Sequence, residues 1–237
     1  MSLLIQQFVM KENSVKNMNY ADIKQYDVAN GPGVRISLFV SGCTHHCKGC
    51  FNSEAWDFNY GKPFTEETID TIIEYLKPDY IKGLTILGGE PFEPQNQKGI
   101  LPLIRRFKAT YPNKTLWIFT GYDFEKDITT RMVETYPETK EILSYVDVIV
   151  DGKFIEELKT IALRFKGSSN QRTILVKESL EKGEIVLWDD TIKTYFINEN
   201  DVDLSQPTKE QKELNAKEAS EGVMCTPSDI SKGCGCE

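Results

Sequence analysis

Val34-Arg-Ile-Ser-Leu-Phe-Val-Ser41 runs directly into Gly42-Cys43-Thr-His-His-Cys47-Lys-Gly-Cys50, and this junction decides how the chain is read. Its first half is rich in β-branched and aromatic residues, the composition of a buried strand. Asn30-Gly-Pro-Gly33, just ahead of it, is turn chemistry. Its second half spaces three cysteines as Cys-x3-Cys-x2-Cys, with no fourth cysteine nearby. Three thiolates can hold three corners of a cubic [4Fe–4S] cluster and leave one iron open to a substrate or cofactor. A zinc site is the alternative, with His45 or His46 as fourth ligand, although four donors in so short a span strain a tetrahedron. Otherwise both histidines read as exposed loop residues.

Outward from this junction the pattern alternates. Thr65-Glu-Glu-Thr68 opens a helix with Thr65 as its cap; Ile69, Ile72, Ile73 and Leu76 share one face, and Pro78 ends it. Leu84-Thr-Ile-Leu87 is a short apolar strand that stops at Gly88-Gly89. A helix is expected from about residue 97 to 109, with Ile100, Leu103, Ile104 and Phe107 on one side. Leu116-Trp-Ile-Phe119 is the next strand, ending at Thr120-Gly121. The spacing predicts a helix over 124–135 and a strand over Val146-Asp-Val-Ile-Val150, which ends at Asp151-Gly152. Apolar strands alternating with helices mark parallel βαβ units buried on both faces. The unusual residues sit at the strands' C-terminal ends, the edge where barrel-type α/β folds carry their chemistry.

At 237 residues the chain is long enough for one substantial core. No apolar run approaches the roughly 20 residues needed to span a bilayer, and the opening lacks the pattern of a signal peptide. A reducing cytosol is the expected compartment, where cysteines serve metal or redox chemistry more often than structural disulfides. The net charge is −8, and residues 199–237 alone carry nine acidic and four basic side chains. The remainder is close to balanced, which gives no nucleic-acid footprint. Three divisions follow: an extension over 1–17, a folded domain over 18–197, and an acidic, flexible tail over 198–237 that holds Cys225, Cys234 and Cys236. A fraying helix is expected over 208–219, and the tail thiols are open to metal binding, disulfide exchange or no role at all.

Cys43-Thr-His-His-Cys47-Lys-Gly-Cys50-Phe51-Asn52 resembles the cluster loop of the radical S-adenosylmethionine superfamily. Val28-Ala-Asn-Gly-Pro-Gly33, Gly88-Gly-Glu-Pro91, Trp117-Ile-Phe-Thr-Gly-Tyr122, Val148-Ile-Val-Asp-Gly-Lys-Phe154 and Arg164-Phe-Lys-Gly-Ser-Ser-Asn-Gln-Arg172 narrow the resemblance. They are similar, in order, to the activating proteins of anaerobic ribonucleoside-triphosphate reductases.

The resemblance implies a truncated, open partial (β/α) barrel with a mostly parallel sheet. It implies a [4Fe–4S] cluster on Cys43, Cys47 and Cys50, with the amino and carboxylate groups of S-adenosylmethionine on the open iron. Reduction would yield a 5′-deoxyadenosyl radical that takes hydrogen from a glycine of the partner reductase, and a low-potential donor such as flavodoxin would feed the cluster. Gly49, Cys50 and Phe51 correspond to the segment along the adenine, and Gly88, Gly89 and Glu90 to the cofactor's amino end. Glu90 either assists that charge or orients the turn. Ser168 and Asn170 suit a ribose or carboxylate. Arg35 and Arg164 are open to pairing with a carboxylate or to surface solvation, and Asp151 to contact with the same pocket. The runner-up readings are an activase of another glycyl radical enzyme, such as pyruvate formate-lyase, or a non-catalytic zinc-binding module.

Overall fold

The computed structural model describes residues 18–160 and 163–189. The expected N-terminal extension, the tail cysteines and the 208–219 helix lie outside the described residues. A seven-stranded sheet organises the rest. Its strands are β1 (Asn19–Asp27), β2 (Val34–Val40), β3 (Lys62–Pro63), β4 (Ile81–Gly88), β5 (Thr115–Phe119), β6 (Val148–Asp151) and β7 (Arg172–Leu175), in spatial order β3-β1-β2-β4-β5-β6-β7. The central four, β2, β4, β5 and β6, pair in parallel, whereas β1, β3 and β7 add antiparallel edges.

The helices are α1 (Glu66–Tyr75), α2 (Pro94–Thr110), α3 (Pro137–Tyr145) and α4 (Val176–Lys182). Thr65 caps α1 through a reciprocal pair, its hydroxyl accepting from Thr68 N while Thr68 Oγ1 accepts from Thr65 N. The helix predicted over 97–109 begins earlier, because Pro94 suits a first turn that needs no N–H. The segment predicted as a helix over 124–135 is instead wide π turns from Phe124 to Met132 before a short α turn, Val133–Thr135. Thr129 and Thr130 hydroxyls bond back to Phe124 O and Glu125 O there, competing with the regular ladder.

Alternation along the strands separates two faces. Ile36, Leu38, Val40, Leu84, Ile86, Leu116, Ile118 and Ile149 pack on helix residues such as Ile69, Ile72, Ile104, Phe107 and Ile142. The opposite face joins Trp117, Val148 and Val150 to Phe119, Phe165 and Trp188. No described helix is long and apolar enough to cross a membrane.

Arg35 corrects one expectation. It is neither solvated nor paired with a carboxylate but fully buried on that second face. Its Nε donates to Thr85 Oγ1 (2.7 Å), Nη1 to Thr115 Oγ1 (2.9 Å), and Nη2 to the carbonyls of Leu84 (2.8 Å) and Thr115 (2.9 Å). The guanidinium lies 5.6 Å from the Trp117 ring centroid. Burial pulls its pKa below the ordinary arginine range, and the charges of Asp147 and Asp27 pull it back. Five donors in a fixed plane make arginine able to stitch β2, β4 and β5 together in this way.

Candidate functional site

The ends of the parallel strands open onto one cavity of about 360 Å³. Cys43, Cys47 and Cys50 line it together with Gly88, Gly89 and Glu90 after β4, Thr120 and Gly121 after β5, and Gly152 after β6. The four strand ends that stood out in the sequence therefore meet. Close packing makes the junction. Gly42 N donates to Ala55 O (2.8 Å), Gly89 N to Val40 O (2.7 Å) and Glu90 N to Gly42 O (2.8 Å). A Cβ on Gly89 would sit 2.5 Å from Gly42 O and 2.9 Å from Ala55 O, so only glycine allows the two turns to touch.

All three thiols are free; Cys43 is buried, and Cys47 and Cys50 are half-buried. Burial pushes the Cys43 thiol up to about 11, aided by the charges of Glu90 and Cys47 and opposed by backbone hydrogen bonds from His45 and His46. Burial also raises Cys47, against a backbone hydrogen bond from Phe154 and the charge of Lys153. Such thiols need a bound cation to become thiolates at neutral pH. Among the described residues no three His, Cys, Asp or Glu side chains gather to hold one metal ion. A cube spreads its protein ligands over three separate irons, so three soft donors around one cavity fit an iron–sulfur cluster.

Glu90 is wholly buried. Its Oε1 accepts from Phe92 N (2.9 Å) and Thr120 Oγ1 (2.8 Å), and its Oε2 from Gly121 N (2.7 Å) and His45 Nε2 (3.0 Å). A carboxylate has about four acceptor positions, and here all are taken by the protein. Through these bonds Glu90 holds the turn after β4 against the turn after β5 and the cysteine loop. His45 is likewise not an exposed loop residue: its side chain is 7% accessible and stacks edge-on against Tyr122 at 4.4 Å. His46 is exposed, as expected.

Sequence reasoning missed two further residues. Glu93 Oε1 accepts from Thr44 N (3.0 Å) and Thr44 Oγ1 (2.5 Å). Asn96 Nδ2 donates to Ser41 O, Gly42 O and Glu90 O. Only their proximity to Gly88-Gly-Glu-Pro91 could have flagged them.

The remaining candidates divide. Gly49 and Phe51 line the cavity, with Phe51 83% exposed at its mouth. Ser168 is buried and accepts from Ile155 N (3.2 Å), and Asn170 donates to Lys153 O (2.8 Å). Both shape the turn, and the wall itself there is Gly167 and Gln171. Arg164 lies over the rings of Phe165 and Trp188, at 5.1 and 5.4 Å. Asp151 faces inward to Arg172 and Phe124 N.

A family model described as a 4Fe-4S single cluster domain matches residues 29–174. An anaerobic ribonucleoside-triphosphate reductase-activating protein from Escherichia coli (strain K12) is 42% identical over 156 residues, which is 65% of this chain and 96% of that relative. The proteins of that name from Vibrio cholerae and Enterobacteria phage T4 are 43% and 44% identical, over 96% and 92% of their lengths. Each alignment reaches almost end to end of a relative, and the span of the family model, residues 29–174, contains the whole cavity wall. This chain belongs to the family of anaerobic ribonucleoside-triphosphate reductase-activating proteins.

Proposed function

We propose that the chain is an iron–sulfur activase that installs the glycyl radical of an anaerobic ribonucleoside-triphosphate reductase. The carrying observation is that Cys43, Cys47 and Cys50 wall the same cavity as Gly88 and Gly89. Those three thiols would hold a [4Fe–4S] cluster, which, once reduced by a one-electron donor, would supply the electron for cleavage of S-adenosylmethionine to methionine and a 5′-deoxyadenosyl radical.

The chain's own residues do the rest. Gly88 and Gly89 let backbone approach the cofactor's amino end, with Glu90 bracing the turn from behind. Gly49, Cys50 and Phe51, which line the cavity, would hold the adenine. Ser168 and Asn170 hold the turn that presents Gly167 and Gln171 to the ribose or carboxylate. Apolar Leu87, Phe119, Phe154 and Phe165 exclude water from the cavity. We read the sheet as an open, partial barrel whose mouth admits a glycine-bearing loop of the reductase, where a closed small-molecule pocket would not. The activase domain spans 18–197, works in the cytoplasm and takes electrons from a flavodoxin-type donor.

The test is anaerobic. Reconstituted protein, dithionite, S-adenosylmethionine and an anaerobic reductase should together give the electron paramagnetic resonance doublet of a glycyl radical, and no subset should. Cys47→Ala should abolish both the doublet and 5′-deoxyadenosine formation. Cleavage at the parent rate in that variant, or one zinc per chain in place of about four irons, would overturn the reading.

A further inference from the structure

We propose that His45 is a positioning residue. By holding Glu90 it fixes the orientation of the cysteine loop, and so the direction in which the open corner of a bound cluster faces. The inference rests on the cluster and cofactor reading above.

Only three residues separate Cys43 from Cys47, and two of them are tied to the turn after β4. Thr44 bonds Glu93 through both its amide and its hydroxyl, and the His45 ring bonds Glu90. Three other donors, Phe92 N, Thr120 Oγ1 and Gly121 N, fix Glu90 before His45 reaches it, so the carboxylate is an anchor and not a flexible partner. The two side chains are 7% and 1% accessible, so the bond is shielded from water. Toward a carboxylate Nε2 carries the proton and donates.

Two neighbours confine the ring. Tyr122 stacks against it, and a Cβ on Gly121 would come within 2.4 Å of its Cδ2. The residue after His45 explains why a clamp is needed: His46 takes a left-handed backbone, φ +49°, which a non-glycine residue keeps only when its surroundings impose it. Three sulfurs can grip a cluster in a loop that still tilts. The bond to Glu90 removes that tilt relative to Gly88 and Gly89, where the cofactor's amino end would lie.

The experiment compares the full-length parent, His45→Ala and His45→Gln after anaerobic reconstitution. It measures iron and sulfide per chain, and titrates S-adenosylmethionine against the electron paramagnetic resonance spectrum of the dithionite-reduced cluster. We expect His45→Ala to keep the parent's iron and sulfide but to need about tenfold more S-adenosylmethionine for the same spectral change, the scale of one hydrogen bond to a charged group. His45→Gln, whose amide can donate to Glu90, should recover most of the loss. A parent-like titration in His45→Ala overturns the proposal, as does a His45→Gln variant as impaired as His45→Ala. If His45→Ala holds no iron, retention by His45→Gln supports the clamp and loss from both overturns it. A parent spectrum indifferent to S-adenosylmethionine would remove the cofactor reading and this inference with it.

Discussion

Replacing Asp151 by alanine should loosen the far wall of the site without touching the cysteines. Asp151 ends β6, where its Oδ2 accepts from Phe124 N (2.9 Å) and Arg172 Nη2 (2.5 Å), and its Oδ1 from Arg172 Nε (3.1 Å). Two losses follow. The Phe124 amide is buried and would be left without an acceptor, at about 1–3 kcal/mol. The ion pair contributes less, about 1 kcal/mol, because Arg172 is 32% exposed and keeps Glu125 at 2.8 Å. Together they amount to about 3 kcal/mol, or a fall in Tm of about 6–12 °C for a domain of this size.

Thermal unfolding followed by circular dichroism, on anaerobic protein, reads this directly. Asp151→Asn separates the two losses, because its carbonyl can still accept from Phe124 N while its charge is gone. It should cost about 1 kcal/mol. Gly152 lines the cavity one residue later, so S-adenosylmethionine binding should weaken in the alanine variant and much less in the asparagine variant. Equal Tm values for Asp151→Ala and the parent, or an asparagine variant as unstable as the alanine one, would refute the assignment of the cost to an orphaned amide.

Gly89→Ala would press a methyl group onto the carbonyls of Gly42 and Ala55 and should cost about 1–3 kcal/mol in urea unfolding, with reduced iron loading after reconstitution. Burial, with the charges of Glu93 and Glu90 behind it, pushes the Tyr122 phenol up to about 12 from an ordinary 10.0. The unfolded chain thus loses this proton first, so between those values stability falls as pH rises. Tyr122→Phe should flatten that part of an alkaline stability profile; an unchanged slope would place the effect elsewhere.

The parallel centre of the fold was legible because its strands are buried on both faces and carry little but apolar side chains. The edges were not. β1 exposes every second residue through Asp22, Lys24 and Tyr26, so its few inward side chains give no run to read. β7 is four residues long and begins with an arginine. Arg35 misleads for a different reason: the hydroxyls that receive it belong to residues 50 and 80 positions away, and nothing local separates a stitched guanidinium from a solvated one.

The site divides in the same way. The cysteine loop stood out because three thiols at fixed spacing fall within eight residues, and the structure puts all three on one cavity wall. Glu90 did not, because a carboxylate beside two glycines has the same sequence signature whether it faces a ligand or the protein. In the structure four donors reach it, from Phe92, Thr120, Gly121 and His45, and they use its whole accepting capacity. A carboxylate held by four protein donors is fixed in place, so what it lends to the cavity is a charge of set position. Glycine precedes Glu90 because a Cβ at Gly89 would collide with Gly42 O and Ala55 O, and the carboxylate's part is to hold the turn so formed still.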